Sequence, residues 1–434
     1  MGKRRGTRVC AGALALGIAV AGGTAITGAS GSAGAATSAP GVSATQINIG
    51  AISSKTGPLA SYFGGIGPGM DAYFKWLNAN GGVNGRKIVL TNSLDDGGSP
   101  SQFTQDVHTL IDQDHVFGIG VASAWFTPNY FVSTKTPTYG YNVSANWQTA
   151  PNLFAAGGST QIYKSGFPIM NYFLKKVKAS SVAFISYGPS IASSYNACNA
   201  YAKGLKAVGV NVNFVDVSAQ LGGSYTSDAQ RLQQAGTQAV ITCMQDTDNV
   251  TLARAIQQYG LKIKQLWLSG YDQTLLNQYS SLMQGVYVNL TGVVPFEAAN
   301  SARYGSTYSG MQNYIKQMNR YDPTYTYNGV AFTGWQSAAL IAAGIKAAGA
   351  NITQASVISA TNKLTNFTAG GLTTPVNWSS AHVGYTEPGC DAFVQVQGKK
   401  YVPVFGKGKQ VFVCVNASVK NPKVVAAPAG TPGA

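Results

Sequence analysis

Residues 46–91 read QINIGAISSKTGPLASYFGGIGPGMDAYFKWLNANGGVNGRKIVLT, and their pattern decides the fold. Apolar residues alternate from Gln46 onward, which predicts a buried strand. The next apolar side chains lie at helical spacing and predict a helix; they are Met70, Tyr73, Phe74 and Leu77. This helix is expected to end at the glycine pair 81–82. The Asn84-Gly85 turn then leads into a second strand at Lys87–Thr91. The stretch is therefore predicted to form a strand–helix–strand unit.

The same alternation continues along most of the chain. A helix is predicted to begin with Ser99 as its cap and Pro100 at its first position. Further strands are predicted at 117–121, 138–141, 182–186, 210–217, 239–243, 266–268 and 286–290. Short connections between such strands indicate the α/β class, with parallel-sheet cores covered on both faces. A chain of 434 residues is too long for one ordinary core, so at least two lobes are expected.

The end of the chain has a different pattern. Residues 392–405 are predicted to form a β-hairpin, and residues 410–415 are predicted to form one more strand. Residues 421–434 contain mainly Pro, Gly and Ala toward their end, and we predict a disordered tail there.

The beginning of the chain has the pattern of an export signal. Residues 1–35 are predicted to be a signal peptide and residues 36–45 a linker. Basic residues precede an apolar run, Val9–Val20, that is too short to span a membrane, and Ala33-Gly34-Ala35 fits a cleavage site. Cys10 lies at the start of the apolar run instead of at its end, so no lipid anchor is expected. We thus expect an exported protein, either in a periplasm-like compartment or at the cell surface.

The charge of the protein does not indicate nucleic-acid binding. The formal net charge is +15, and it falls to +11 without the four basic residues of the signal peptide. The remaining Lys and Arg residues are scattered, and no aromatic residues that could stack on bases lie between them. We therefore expect no nucleic acid as a partner.

The exported part of the chain contains four cysteines, Cys198, Cys243, Cys390 and Cys414. They have no C-x-x-C spacing and only three His residues accompany them, so a zinc site is not expected. Four cysteines allow three pairings. Proximity along the chain and in the predicted fold favours two structural disulfides, Cys198–Cys243 and Cys390–Cys414.

These residues resemble the leucine/isoleucine/valine-binding family of ABC-transporter solute-binding proteins, which have the type I periplasmic binding protein fold. The resemblance rests on the first strand and loop (47–60), on the run 77–88, on Asp95-Asp96 and on the Ser99-Pro100 helix start. It implies two Rossmann-like lobes joined by three crossovers, with the ligand in the cleft between them. The first lobe would comprise 46–153 and 291–370, and the second 154–290 and 371–420.

The resemblance also implies which residues contact the ligand. In the first lobe these are Tyr62, Ser123, Ala124, Trp125, Val143, Ser144 and Phe332, and in the second Tyr187, Tyr195, Gln245 and Asp272. Residues 123–125 match the short loop that holds a ligand carboxylate, and Asp272 matches an acid that pairs with the ligand's α-amino group. Trp125 departs from the family, which has a small hydroxyl residue there. A bulky indole instead favours an aromatic or extended ligand.

No catalytic motif competes with this interpretation. The glycines at 65–69 do not have dinucleotide-loop spacing, and the chain lacks a G-x-S-x-G elbow, a Walker A run and an H-E-x-x-H helix. We therefore expect a monomeric binding protein without enzymatic activity or cofactor, which captures a small polar or amphipathic solute, an amino acid or an amide-like compound, for an ABC permease. The alternatives are a ligand-sensing module and a secreted hydrolase with an unrecognised site.

Overall fold

The computed structural model describes residues 39–159, 167–324, 328–383 and 389–434. The predicted signal peptide and its cleavage site lie outside these residues. The described chain forms two sheets, each covered by helices, as the α/β prediction requires.

The first sheet has five parallel strands in the order β2-β1-β3-β4-β5. They are β1 (Gln46–Ser53), β2 (Lys87–Asp95), β3 (Gly118–Ala122), β4 (Thr138–Gly140) and β5 (Leu153–Ala155). The helices between them are α1 (Ala60–Phe63), α2 (Ile66–Ala79), α3 (Pro100–His108) and α4 (Asn129–Thr134). The predicted cap of α3 is confirmed, because the Ser99 hydroxyl accepts the Gln102 N–H. The three-residue strand β5 was not predicted.

The second sheet has the order β12-β11-β10-β9-β8-β6-β7, and β13 pairs with β11. Its strands are β6 (Val182–Tyr187), β7 (Val212–Ala219), β8 (Ala239–Thr242), β9 (Lys264–Trp267), β10 (Tyr287–Thr291), β11 (Gly389–Gln397), β12 (Lys400–Val404) and β13 (Phe412–Val415). Strands β6 to β10 are parallel, and β11 to β13 pair in antiparallel fashion. The predicted C-terminal hairpin is therefore confirmed as β11–β12.

Helix α5 precedes the second sheet, α6 to α9 follow strands β6 to β9, and α10 to α13 lie between β10 and β11. They are α5 (Phe167–Lys176), α6 (Ala192–Ala207), α7 (Thr226–Gln234), α8 (Asp246–Gln258), α9 (Gln273–Tyr279), α10 (Ser301–Tyr304), α11 (Ser309–Tyr321), α12 (Gly329–Ala348) and α13 (Gln354–Thr361). Helix α12 packs against α2 and the first sheet. A Cβ atom at Gly69 would lie 1.8 Å from the Ala331 carbonyl oxygen, so glycine allows the two helices to approach. The chain thus returns to the first sheet after β10 and enters the second again at β11, which gives two lobes.

Both predicted disulfides are present in the structure. Cys198 on α6 is bonded to Cys243 after β8, and Cys390 on β11 is bonded to Cys414 on β13. Both pairs join neighbouring elements of the second lobe.

The C-terminal segment 421–434 is placed against the second lobe, which differs from the predicted disordered tail. The Val425 N–H donates to the Cys414 carbonyl at 2.9 Å, and Val424 pairs with Val415 at the free edge of β13. Val425 and Ala427 pack against the core. Val425 and Ala427 are therefore partly buried, whereas Val424 remains exposed.

Candidate functional site

A cavity of about 360 Å³ lies between the two lobes, at the carboxyl ends of the parallel strands. The first lobe contributes the α1 region and the loops after β3 and β4, including Tyr62, Ala124 and Val143. The second lobe contributes the end of β6 and the loops after β8 and β9. Open α/β sheets bind ligands at this edge, because the loops that follow the strands converge there. The volume falls in the range of small-molecule sites.

Two tyrosines form a polar contact on the first-lobe wall. The hydroxyl oxygens of Tyr62 and Tyr141 are 2.6 Å apart, and their rings meet edge to face with centroids 5.5 Å apart. Burial raises the pKa of Tyr141 to about 12 and the pKa of Tyr62 well above its ordinary value. Both phenols are therefore neutral at physiological pH; one donates to the other, and the second hydroxyl can donate a hydrogen bond to a ligand.

Asp246 provides the carboxyl group of the second-lobe wall. It is the first residue of α8, it is buried, and the Ser269 hydroxyl donates to its Oδ1. Burial, with a smaller contribution from the nearby Asp272 carboxyl, raises the pKa of this carboxyl to about 7, although the Ser269 hydrogen bond acts in the opposite direction. No Lys, Arg or His is found among the cavity-lining residues within the described ranges. An approaching positive charge or N–H donor would therefore stabilise the ionised form of Asp246.

The loop that carries Asp246 is fixed by Tyr187. The Tyr187 hydroxyl donates to the Asp248 carboxylate at 2.5 Å and accepts the Gln245 N–H at 3.1 Å. The Asp248 carboxylate also accepts the Gly222 N–H at 3.0 Å. Because these bonds join β6, the Gly222 loop and α8, they hold the Asp246 carboxyl in a defined position.

The structure brings together six of the residues that the family resemblance implied. Tyr62, Ala124, Val143, Tyr187, Gln245 and Phe332 line the cavity. So do Asn142 and Met244, which belong to the same loops. Asp246 was missed, although it directly follows Gln245. A carboxylate at the start of a helix, just after a buried strand, is the sequence signal that would have found it.

Five of the implied residues lie outside the cavity lining: Ser123, Trp125, Ser144, Tyr195 and Asp272. The Ser123 hydroxyl accepts the Trp125 N–H at 3.1 Å, so it stabilises the turn that presents Ala124. This turn directs Trp125 against the apolar cluster that covers the other face of the first sheet. In this structure Trp125 therefore lies outside the cavity lining, and its predicted contact with the ligand stays a prediction.

The remaining three residues, Asp272, Ser144 and Tyr195, also lie outside the cavity lining. Asp272 caps α9 by accepting the Leu275 N–H at 2.7 Å, and this keeps its carboxyl out of the cavity. Ser144 has extended backbone just before the short 3₁₀ helix Ala145–Gln148. Tyr195 lies half-buried on α6, whose residues Ser193, Ser194, Ala197 and Tyr201 line the cavity instead.

The chain is similar in sequence to curated binding proteins. It is 24% identical over 238 residues to "Leu/Ile/Val-binding protein homolog 3" of Brucella melitensis, a match that covers 52% of this chain and 62% of the relative. It is 28% identical over 184 residues to the "Leu/Ile/Val/Thr-binding protein" of Salmonella typhimurium, covering 40% of this chain and 48% of the relative. The matches thus span less than two thirds of the length of these relatives.

Solved structures share the fold over most of the chain. A fatty acid ABC transporter substrate-binding protein from Thermomonospora curvata has a TM-score of 0.67 at 18% identity, covering 91% of this chain and 98% of its own. A branched chain amino acid ABC transporter protein from Thermus thermophilus with bound valine has a TM-score of 0.68 at 16% identity, covering 84% and 96%. The family model described as "Periplasmic binding protein" matches residues 46–400. The chain therefore belongs to the periplasmic binding protein family.

Proposed function

We propose that this protein captures a small amphipathic solute, an amino acid or an amide-like compound, between its lobes and delivers it unchanged to an ABC transporter. The observation that carries the proposal is a cavity with walls from both lobes, in which the buried Asp246 carboxyl shares the space with the Tyr62 and Tyr141 hydroxyls. The names of the similar proteins, which refer to Leu, Ile and Val binding and to ABC transporters, agree with it.

The lining favours a nitrogen-bearing head group with an apolar body. Asp246 can pair with an ammonium or accept from an amide N–H, and the tyrosine pair can donate one hydrogen bond to a carbonyl or carboxylate oxygen. Apolar side chains complete the walls, among them Leu59, Phe63, Leu290 and Phe332. A fatty acid fits less well, because it has no nitrogen to pair with the Asp246 carboxyl, and no basic side chain in the described lining would separate its carboxylate from that carboxyl.

The ligand can be identified directly from the exported protein. Denaturation of the purified protein should release its bound solute, and we expect mass spectrometry to detect one amphipathic amine or amide in an amount equimolar with the protein. Calorimetry should then show that this solute binds again to the emptied protein. Release of anionic lipids only, or no heat with any member of an amino-acid and amide panel, would overturn the proposed ligand class.

Ligand binding is expected to close the lobes. The crossovers between them contain Gly157, Gly158 and Gly292, all with positive φ angles that glycine adopts without strain, and all three line the cavity. A ligand that touches both walls binds the closed state preferentially, so closure follows binding. Small-angle scattering should therefore give a smaller radius of gyration with the solute than without it. An unchanged radius at saturation would argue against a hinge.

The Trp125→Ala variant tests the placement of the indole. Since Trp125 packs against the apolar cluster outside the cavity, its removal should lower the free energy of unfolding by about 2–3 kcal/mol. Affinity for the identified solute should stay within about twofold, a difference below about 0.5 kcal/mol. Tyr62→Phe is the matched control inside the cavity, since it removes one hydroxyl of the tyrosine pair. A large loss of affinity in Trp125→Ala, at unchanged stability, would show that the indole contacts the ligand.

A further inference from the structure

The two lobes differ sharply in surface charge. Residues 167–291 and 389–434 of the second lobe contain fifteen Lys and Arg residues, and every one of them is exposed. The same ranges contain six Asp and no Glu; five of the Asp residues are buried, and the sixth, Asp216, is half-buried and lies 3.6 Å from Arg231. By contrast, residues 39–159, 292–324 and 328–370 of the first lobe contain ten basic and eight acidic residues. The positive charge of the protein is thus concentrated on the second lobe.

Much of this charge lies at the end of the second sheet that is opposite the cavity. The parallel strands begin at this end, since Val182, Ala239 and Lys264 are neighbours in register. The β11–β12 turn reaches the same end, because Gln284, which precedes β10, bonds to Gly398. We call this end the basic pole; its residues are Lys175, Lys176, Lys178, Lys206, Lys262, Lys264, Lys399 and Lys400.

Helix ends explain only part of the basic pole. Lys175, Lys176 and Lys206 lie in the last turns of α5 and α6, where a cation stabilises the helix dipole. Lys262, Lys264, Lys399 and Lys400 lie in a loop or at strand ends and have no such role. Within the described residues, none of these four ammonium groups lies within 4.0 Å of a carboxylate oxygen, although the Glu297 carboxylate is near enough to Lys400 for the two charges to attract each other. For Lys262, Lys264 and Lys399, no ion pair within the described protein offsets the mutual repulsion of the positive charges.

The side chains of the basic pole favour an extended anionic surface as the binding partner. Protein partners are usually held by a central apolar or aromatic cluster, but the large hydrophobic residues exposed in the described chain are only Val132, Val215, Val383 and Val424. Single-stranded nucleic acid would need exposed aromatic rings for stacking, and the four exposed residues just named are all valines. Lysine ammonium groups spread over one end of a lobe fit the phosphates of a lipid surface, which attract each nearby cation independently.

We propose that the basic pole binds the phosphate headgroups of an anionic membrane surface. Such binding would hold an exported protein at a membrane surface. It would be electrostatic and reversible, because no exposed aromatic or long apolar segment at the pole is available to enter the bilayer. The pole lies opposite the cavity, so this binding and ligand capture are separate properties.

Cosedimentation of the exported protein with lipid vesicles tests the proposal. Vesicles of phosphatidylcholine and phosphatidylglycerol in equal parts should bind the protein at low salt and release it at high salt, and vesicles of phosphatidylcholine alone should not bind it. The combined variant Lys262→Gln, Lys264→Gln, Lys399→Gln and Lys400→Gln should bind the anionic vesicles on the order of tenfold more weakly or worse.

The matched control removes the same charge elsewhere. Lys87→Gln, Lys316→Gln, Lys346→Gln and Lys363→Gln are exposed positions outside the second lobe, and their combined variant should keep most of the wild-type binding. Thermal unfolding of both variants checks that each is folded. Equal weakening in the two variants would overturn the proposal, since net charge alone would then explain the binding. Tighter binding to duplex DNA or to soluble polyphosphate than to the vesicles would also overturn it.

Discussion

The Asp246→Asn variant is expected to lose most of its affinity for the captured solute. Asp246 is the buried carboxyl of the cavity, and its amide replacement cannot pair with an ammonium or act as a pure acceptor. Removing one partner of such a buried pair costs about 2–5 kcal/mol, which is roughly thirtyfold or more in the dissociation constant. Calorimetry with the co-purified solute measures the change.

Asp272→Asn is the matched control for this variant. Asp272 is also buried, but it caps α9 and lies outside the cavity lining. Asparagine is a good cap, so the control should keep both its stability and its affinity. If Asp272→Asn weakens binding and Asp246→Asn does not, the acid that pairs with the ligand is Asp272, as the family resemblance implied.

The same Asp246→Asn variant should be more stable than the wild type when no ligand is bound. The pKa of Asp246 is raised to about 7 in the folded protein, so the folded state holds more protons than the unfolded state between pH about 4 and 7. The wild-type free energy of unfolding therefore falls as pH rises through this window, by up to roughly 4 kcal/mol. The variant should lack this decrease, and denaturant unfolding at several pH values measures it. Equal pH profiles in the two proteins would show that Asp246 titrates normally.

Removal of either disulfide is expected to lower the free energy of unfolding strongly. The Cys198–Cys243 bond closes a loop of 45 residues and the Cys390–Cys414 bond a loop of 24. In the loop-entropy account these bonds stabilise the protein by about 4 and about 3 kcal/mol. The double variants Cys198→Ala/Cys243→Ala and Cys390→Ala/Cys414→Ala should lose these amounts in guanidinium unfolding, with the larger loss in the first. A loss below about 1 kcal/mol in both would contradict the role assigned to the bonds.

The regular elements could be predicted because local chemistry marks their ends. The Asn84-Gly85 turn and the Ser99 cap are short-range signals, and the strands between them are apolar runs of ordinary length. The cysteine pairs could be predicted for a similar reason, since each joins neighbouring elements. Strand β5 escaped prediction because three residues are too few for a periodic pattern.

The residues of the cavity were harder to predict, because the direction of a side chain depends on turn geometry. Ala124 and Trp125 are adjacent, yet only Ala124 lines the cavity, while Trp125 packs on the opposite face. Similarly, Asp246 and Asp272 are both acids at helix starts, and only the second is a cap. A cap accepts hydrogen bonds from its own helix, whereas the carboxyl of the following position is free to point elsewhere.

The most direct test of ligand capture between the lobes is a crystal structure of the protein with its co-purified solute. We expect the solute in the cavity, with a nitrogen within hydrogen-bond distance of the Asp246 carboxyl and its other polar end near the Tyr62–Tyr141 pair. A solute bound outside the cavity, or bound within it through Asp272 or Trp125 with no contact to Asp246, would contradict this account.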